Sequence, residues 1–124
     1  MTVRNESAIA GLRALSARIG RDPLLVQASS GNTSLKADGV LWIKASGKWL
    51  AHAEREEGLV PLDLAEVRAC VRRNVEFAGT YTSPLGNALR PSIETAMHAV
   101  LPQRVIIHVH SVNAIAWAVR QDGR

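Results

Sequence analysis

One cysteine, Cys70, is all the chain carries, so no intramolecular disulfide can staple the fold. A lone thiol fits a reducing compartment, and the expectation is a cytoplasmic protein. Aromatic residues are scarce too, at 4% of the sequence. A nucleic-acid surface needs basic residues clustered and interleaved with aromatics. Here the basic residues are mostly arginines, scattered along the chain, and Arg68, Arg72 and Arg73 form the tightest group beside Glu66 and Glu76. Nucleic acid is therefore not the expected partner. Long apolar runs are missing as well. Stretches such as Val105-Ile106-Ile107 fall far short of the roughly 20 residues a membrane helix needs. No apolar segment follows a basic stretch near Met1, so no targeting segment or membrane partner is expected.

What remains is a chain of 124 residues that is 47% hydrophobic and 21% charged. That balance excludes a disordered or coiled-coil chain. The length suits one domain over residues 1–124, with no interior boundary or repeat. A net charge of +4 is compatible with anionic small molecules such as sugar phosphates, without requiring them.

Hydrophobic spacing predicts a helix over residues 5–19, with Ile9, Leu12, Leu15 and Ile19 on one stripe, Asn5 as N-cap and Gly20 as the stop. Leu24–Gln27 reads as a short strand after Asp22-Pro23. An Asp38-Gly39 turn predicts a hairpin whose second strand is Val40–Lys44. A short helix follows around 48–53, then a strand at 59–62. Asp63 with Glu66 three residues on forms a capping-box pattern for a helix over 64–76, with Leu64, Val67, Val71 and Val75 on its stripe and Cys70 buried beside them. Trp42 and Trp49 read as core and His52 as exposed. Residues 77–89 read as loop, Pro91–Leu101 as a helix, Arg104–His110 as a buried strand, and 112–120 as a last helix capped by Ser111. This order predicts α/β architecture with a mainly antiparallel sheet flanked by helices.

The chemistry concentrates in Glu94, His98, His108 and His110. His108 and His110 are two apart on a predicted strand, so both point to one face, with Val105, Ile107 and Val109 expected to pack inward on the other. Two imidazoles so placed can close on one metal ion, or stand as satisfied polar residues at a strand end. Glu94 and His98 share a helix face. A carboxylate beside a metal can serve as the base that removes an activated proton, and in the first turn of a helix it can equally be a capping glutamate. Ser29-Ser30-Gly31-Asn32-Thr33-Ser34 offers hydroxyls, an amide and flexible backbone, which suit phosphate or polyol oxygens as well as an ordinary turn. Ala45-Ser46-Gly47 repeats that chemistry more weakly.

In order along the chain stand Gly31-Asn32-Thr33-Ser34, Ile43-Lys44-Ala45-Ser46-Gly47, Pro91-Ser92-Ile93-Glu94 with His98, and Val105-Ile106-Ile107-His108-Val109-His110-Ser111. Together they resemble the class II aldolase/adducin family from about Ala8 to Trp117. The 90–95 and 43–50 stretches are most similar to the aldolase part of bifunctional rhamnulose-phosphate aldolase/dehydrogenase proteins. The resemblance implies a three-layer α/β/α fold around a mainly antiparallel sheet, and a divalent metal, usually zinc, held by three histidines. His108 and His110 would be two of them. Glu94 would approach the metal in the empty site and act as catalytic acid/base. Gly31, Asn32, Ser46, Gly47 and Ser92 would bind the substrate phosphate. The implied chemistry is reversible retro-aldol cleavage of a sugar phosphate through a metal-stabilised enediolate, in a homo-oligomer, with the tetramer the common form. A related epimerase, dehydratase or decarboxylase, and a non-catalytic adducin-like scaffold, are the alternatives. In the family the third histidine lies well past the second, whereas residues 111–124 contain no His, Cys or Glu. The chain alone is thus expected to be the incomplete N-terminal part of such a domain, truncated before its last ligand and inactive by itself. Ile93 stands where many members carry a second serine, and Ser30 where many carry glycine.

Overall fold

The computed structural model describes residues 3–122. A first helix, α1 (Val3–Gly20), precedes the hairpin β1 (Asn32–Ala37) and β2 (Val40–Lys44). A single 3-10 turn (Leu50–His52), β3 (Leu59–Asp63) and α2 (Leu64–Arg72) follow. Next come a two-residue ribbon, β4 (Tyr81–Thr82) and β5 (Ala88–Leu89), then α3 (Thr95–Val100), β6 (Val105–His108) and α4 (Val112–Ala118).

The main sheet has the order β3-β2-β1-β6, and every pairing is antiparallel. Asp38 and Gly39 close the hairpin with φ of 49° and 76°, the left-handed pair a tight two-residue turn requires. Alternation along the strands sends side chains to two faces, and each face has its own helical cover. Leu41, Ile43, Val60 and Leu62 pack with Leu64 and Val67 of α2 and Ala99 of α3. Leu35 packs with Ile9 and Leu12 of α1, joined by Trp42 and Leu59. The result is a three-layer arrangement, helices on both faces of an antiparallel sheet. Thr33 also faces α1, and its hydroxyl meets that of buried Ser16 at 2.7 Å, which satisfies both groups away from water.

Several sequence expectations change here. α1 begins at Val3, so Asn5 lies inside it and bonds the Asp38 carboxylate at 2.5 Å instead of capping. Leu24–Gln27 forms a turn, not a strand, because the Asp22 side chain and carbonyl accept from the amides of Leu24, Leu25 and Val26. α2 stops at Arg72, so Val71 and Val75 are exposed and Cys70 is only half-buried. Its start is as expected, with Asp63 accepting from the Glu66 amide. Trp49 is exposed and stacks on the half-buried His52 ring at 5.4 Å, while Trp42 is half-buried. The β4–β5 ribbon falls where loop was expected.

The largest reversal concerns β6. It ends at His108 and lies at the sheet edge among the described residues. Val105 and Ile107 are exposed, and Ile106 is the strand's buried residue. The face expected to pack inward is thus the open one.

Candidate functional site

Antiparallel pairing brings the start of β1 and the ends of β2 and β6 to one end of the sheet. Asn32 opens β1 opposite His108, which closes β6. Lys44 closes β2, and its carbonyl accepts from the Ser92 amide while the Ser46 amide donates to Arg90. This bridge, with Ala45 opposite Pro91, ties the 45–47 loop to the segment that leads into α3. On the other side, the 24–31 loop holds the 108–112 segment through His110 N–H to the Leu25 carbonyl (2.8 Å) and the Gln27 side chain to the His110 carbonyl (3.2 Å). Gly31 has φ of 72°, and a Cβ on it would lie 3.0 Å from the His108 carbonyl oxygen. Glycine at that position lets the loop approach β6 closely.

A cavity of about 190 Å³ opens at this end of the sheet. Gly31, Asn32, Ser46, Gly47 and Ser92 all line it, with Glu94 and His110. The residues expected to bind phosphate are therefore brought to one cavity. Gly47 sits at φ of 80°, again a conformation that favours glycine. Ile93 is fully exposed at the rim between this cavity and a second one of about 410 Å³, walled in part by Cys70, Val71 and Phe77.

Glu94, His108 and His110 each offer a ligand atom, and the three atoms lie within 4.8 Å of one another. His110 stands just beyond the end of β6, yet its ring meets that of His108 edge-on at 5.0 Å. His108 Nδ1 lies 2.6 Å from Glu94 Oε2. That nitrogen is buried and faces the carboxylate oxygen directly. Two imidazole nitrogens and a carboxylate oxygen are a common zinc donor set. The chemistry of these donors and their spacing fit a divalent cation.

Partial burial would raise the Glu94 carboxyl, but hydrogen bonding to Asn32 and the nearby His108 and His110 bring it below the usual carboxylate range. An ionised Glu94 at neutral pH follows. His98 is fully buried behind this carboxylate, and burial lowers its pKa to about 4, helped by the Lys36 charge.

Lys44 was quoted within a motif and not singled out. Its side chain is buried, and Nζ donates to the carbonyls of Ser29 (2.6 Å) and Lys48 (2.7 Å), clamping the two small-residue loops together beside the cavity. Burial pulls its pKa down and the Glu94 charge opposes that.

Residues 12–124 match the Class II Aldolase and Adducin N-terminal domain. The chain is 28% identical over 121 residues to a protein of Bacillus subtilis (strain 168) named uncharacterized oxidoreductase YuxG, covering 86% of this chain and 17% of that protein. Its fold is similar to the N-terminal class II aldolase domain of a conserved protein from Thermoplasma acidophilum, with a TM-score of 0.67 at 23% identity over 89% of this chain and 58% of that one. The chain thus spans a minor part of the first relative and somewhat over half of the second. No helix among the described residues is long and apolar enough to cross a membrane. With an antiparallel sheet between helices and a family match over nearly its whole length, the chain belongs to the class II aldolase/adducin family.

Proposed function

We infer that this chain carries most of the site of a metal-dependent lyase that cleaves a sugar phosphate in the retro-aldol sense. The observation that carries the reading is the Glu94–His108–His110 cluster at the mouth of a cavity lined by hydroxyls and amides. His108 and His110 would hold the ion, zinc by preference for nitrogen donors. Such an ion, when bound, supplies Lewis-acid polarisation of a carbonyl and its neighbouring hydroxyl.

The remaining roles fall to the chain's own residues. Glu94, ionised and beside the cluster, would accept a proton from the substrate and return it, within hydrogen-bond reach of the cavity. The Ser46 and Ser92 hydroxyls, the Asn32 amide and the open backbone at Gly31 and Gly47 would take the phosphate oxygens. The Lys44 ammonium, fixed at their rear, would offset the phosphate charge. We read residues 1–124 as belonging to one domain, in which residues 111–124 offer no further His, Cys or Glu.

A homo-oligomer is part of the same reading. Val105 and Ile107 on the sheet edge and Ile115 and Trp117 on α4 are exposed apolar groups that support it. The test of the whole is a retro-aldol assay on ketose 1-phosphates with the complete protein, before and after chelation. Cleavage that disappears with the metal and returns with zinc is expected. Stoichiometric metal with no cleavage of any ketose phosphate would favour an epimerase, dehydratase or decarboxylase on the same site. A protein that takes up no metal would favour an adducin-like scaffold.

A further inference from the structure

His98 is outside the cluster of ligand atoms, yet both of its ring nitrogens are engaged. Nδ1 lies 2.6 Å from the Ser34 hydroxyl, and Nε2 meets the Asn32 side-chain oxygen. Asn32 Nδ2 lies 2.5 Å from Glu94 Oε2 and 3.3 Å from Ser92 Oγ. Asn32 and Ser34 are two apart on β1 and so share the face that α3 covers. A continuous polar chain therefore runs from Ser34 through His98 and Asn32 to Glu94, and Asn32, Ser34 and His98 are all buried.

Donor and acceptor chemistry permits one assignment. An ionised carboxylate only accepts, so Asn32 must turn its NH₂ toward Glu94. The amide oxygen then faces His98, and because a carbonyl also only accepts, Nε2 must carry the ring proton. The neutral ring leaves Nδ1 as an acceptor, to which the Ser34 hydroxyl donates. Flipping the Asn32 amide would set two acceptor oxygens 2.5 Å apart at Glu94 and force His98 into its Nδ1–H tautomer. Unpaired buried groups of this kind cost far more than a hydrogen bond returns.

We propose that His98, seated on Ser34, is a positioning residue: as the Nε2–H tautomer it locks the Asn32 amide, and through that amide the Glu94 carboxylate and the Ser92 hydroxyl. This rests on the reading of Glu94 as the acid/base beside a metal. One buried imidazole then sets the acid/base group and one phosphate-side hydroxyl together, because a single NH₂ group reaches both. The ring stays neutral throughout the working range, so its role is geometric.

The test is nitrogen-15 NMR of the histidine rings and of the Asn32 side-chain amide in the metal-free protein, with two variants. His98→Gln places an amide N–H where Nε2 stood; His98→Asn places one where Nδ1 stood and leaves Asn32 without its donor. The expected result is an Nε2–H ring in the wild type, and an Asn32 NH₂ slow in exchange in the wild type and in His98→Gln but about tenfold faster in His98→Asn, the factor that loss of one hydrogen bond gives. An Nδ1–H or averaged ring, or equal Asn32 exchange in the two variants, would overturn the proposal. If His98→Asn does not fold, the wild-type tautomer and the His98→Gln amide decide it. Zinc uptake, measured separately by chelator competition, distinguishes the two claims: a wild type that binds no zinc sinks the metal reading and leaves the ring tautomer to judge this one.

Discussion

His108 Nδ1 and Glu94 Oε2 stand 2.6 Å apart, one at the end of a strand and the other at the entry of a helix. Thirteen residues of chain lie between them, and the fold closes that gap through the sheet. Asn32 lies opposite His108 in the β1–β6 ladder and also donates to Glu94. A carboxylate and an imidazole held this close, with a second imidazole, His110, at hand, form a donor set that suits a positive ion.

Acid should destabilise the fold before it denatures an average domain. Burial depresses the His98 pKa to about 4 in the folded chain, against an ordinary value near 6.5. A depressed folded value means the unfolded chain takes up the proton first as pH falls. The stabilisation is whole above about pH 6.5 and is lost progressively toward pH 4. That difference corresponds to about 3 kcal/mol. Glu94, also lowered, acts in the same direction at still lower pH. Urea unfolding at pH 7.5, 6, 5 and 4 should show this slope, and His98→Gln should flatten it between pH 6.5 and 4.

Two glycines of α1 should respond oppositely to alanine. A Cβ at Gly20 would lie 2.2 Å from the Ala51 amide nitrogen and 2.6 Å from the Leu50 carbonyl carbon. Gly20→Ala must push the 3-10 turn away and should cost about 1–3 kcal/mol or more. Gly11 has open space around it in the helix interior. Gly11→Ala should stabilise by about 0.5–1 kcal/mol, because alanine lowers the backbone entropy lost on helix formation. Denaturant midpoints of the two variants check both signs.

Ser92 receives the second Asn32 proton, and its hydroxyl also accepts from the Glu94 amide at 3.2 Å. Ser92→Ala should therefore weaken sugar-phosphate binding and loosen the start of α3. Calorimetric titration with a ketose 1-phosphate should show a loss of about 1–2 kcal/mol, the scale of a lost hydrogen bond to a charged oxygen. Unchanged affinity would place the phosphate elsewhere.

How much of this was legible depends on the range of the interactions. The β1–β2 hairpin was readable because Asp38-Gly39 encodes its turn locally. The helix at Leu64 was readable because its cap is three residues from its partner. The His108/His110 pair and Glu94 stood out through residue type and spacing, and the fold brings them to one cluster. Leu24–Gln27 misled because its apolar run gave no sign that Asp22 would fold it into a turn. Val105 and Ile107 misled because alternation gives two faces without saying which one is covered, and at a sheet edge the covered face depends on packing distant in sequence. The Lys44–Ser29 bond and the buried Asn32–His98 contact depend on partners 15 or more residues away, which local pattern does not record.

Zinc titration of the purified protein, with a chromophoric chelator as competitor, tests the central claim most directly. One equivalent of zinc should bind, and His108→Ala and His110→Ala should each weaken it more than about 100-fold, beyond the 10–100-fold typical of outer-sphere changes. A wild type that takes up no zinc, or a His108→Ala variant that binds as tightly as the wild type, would contradict the account.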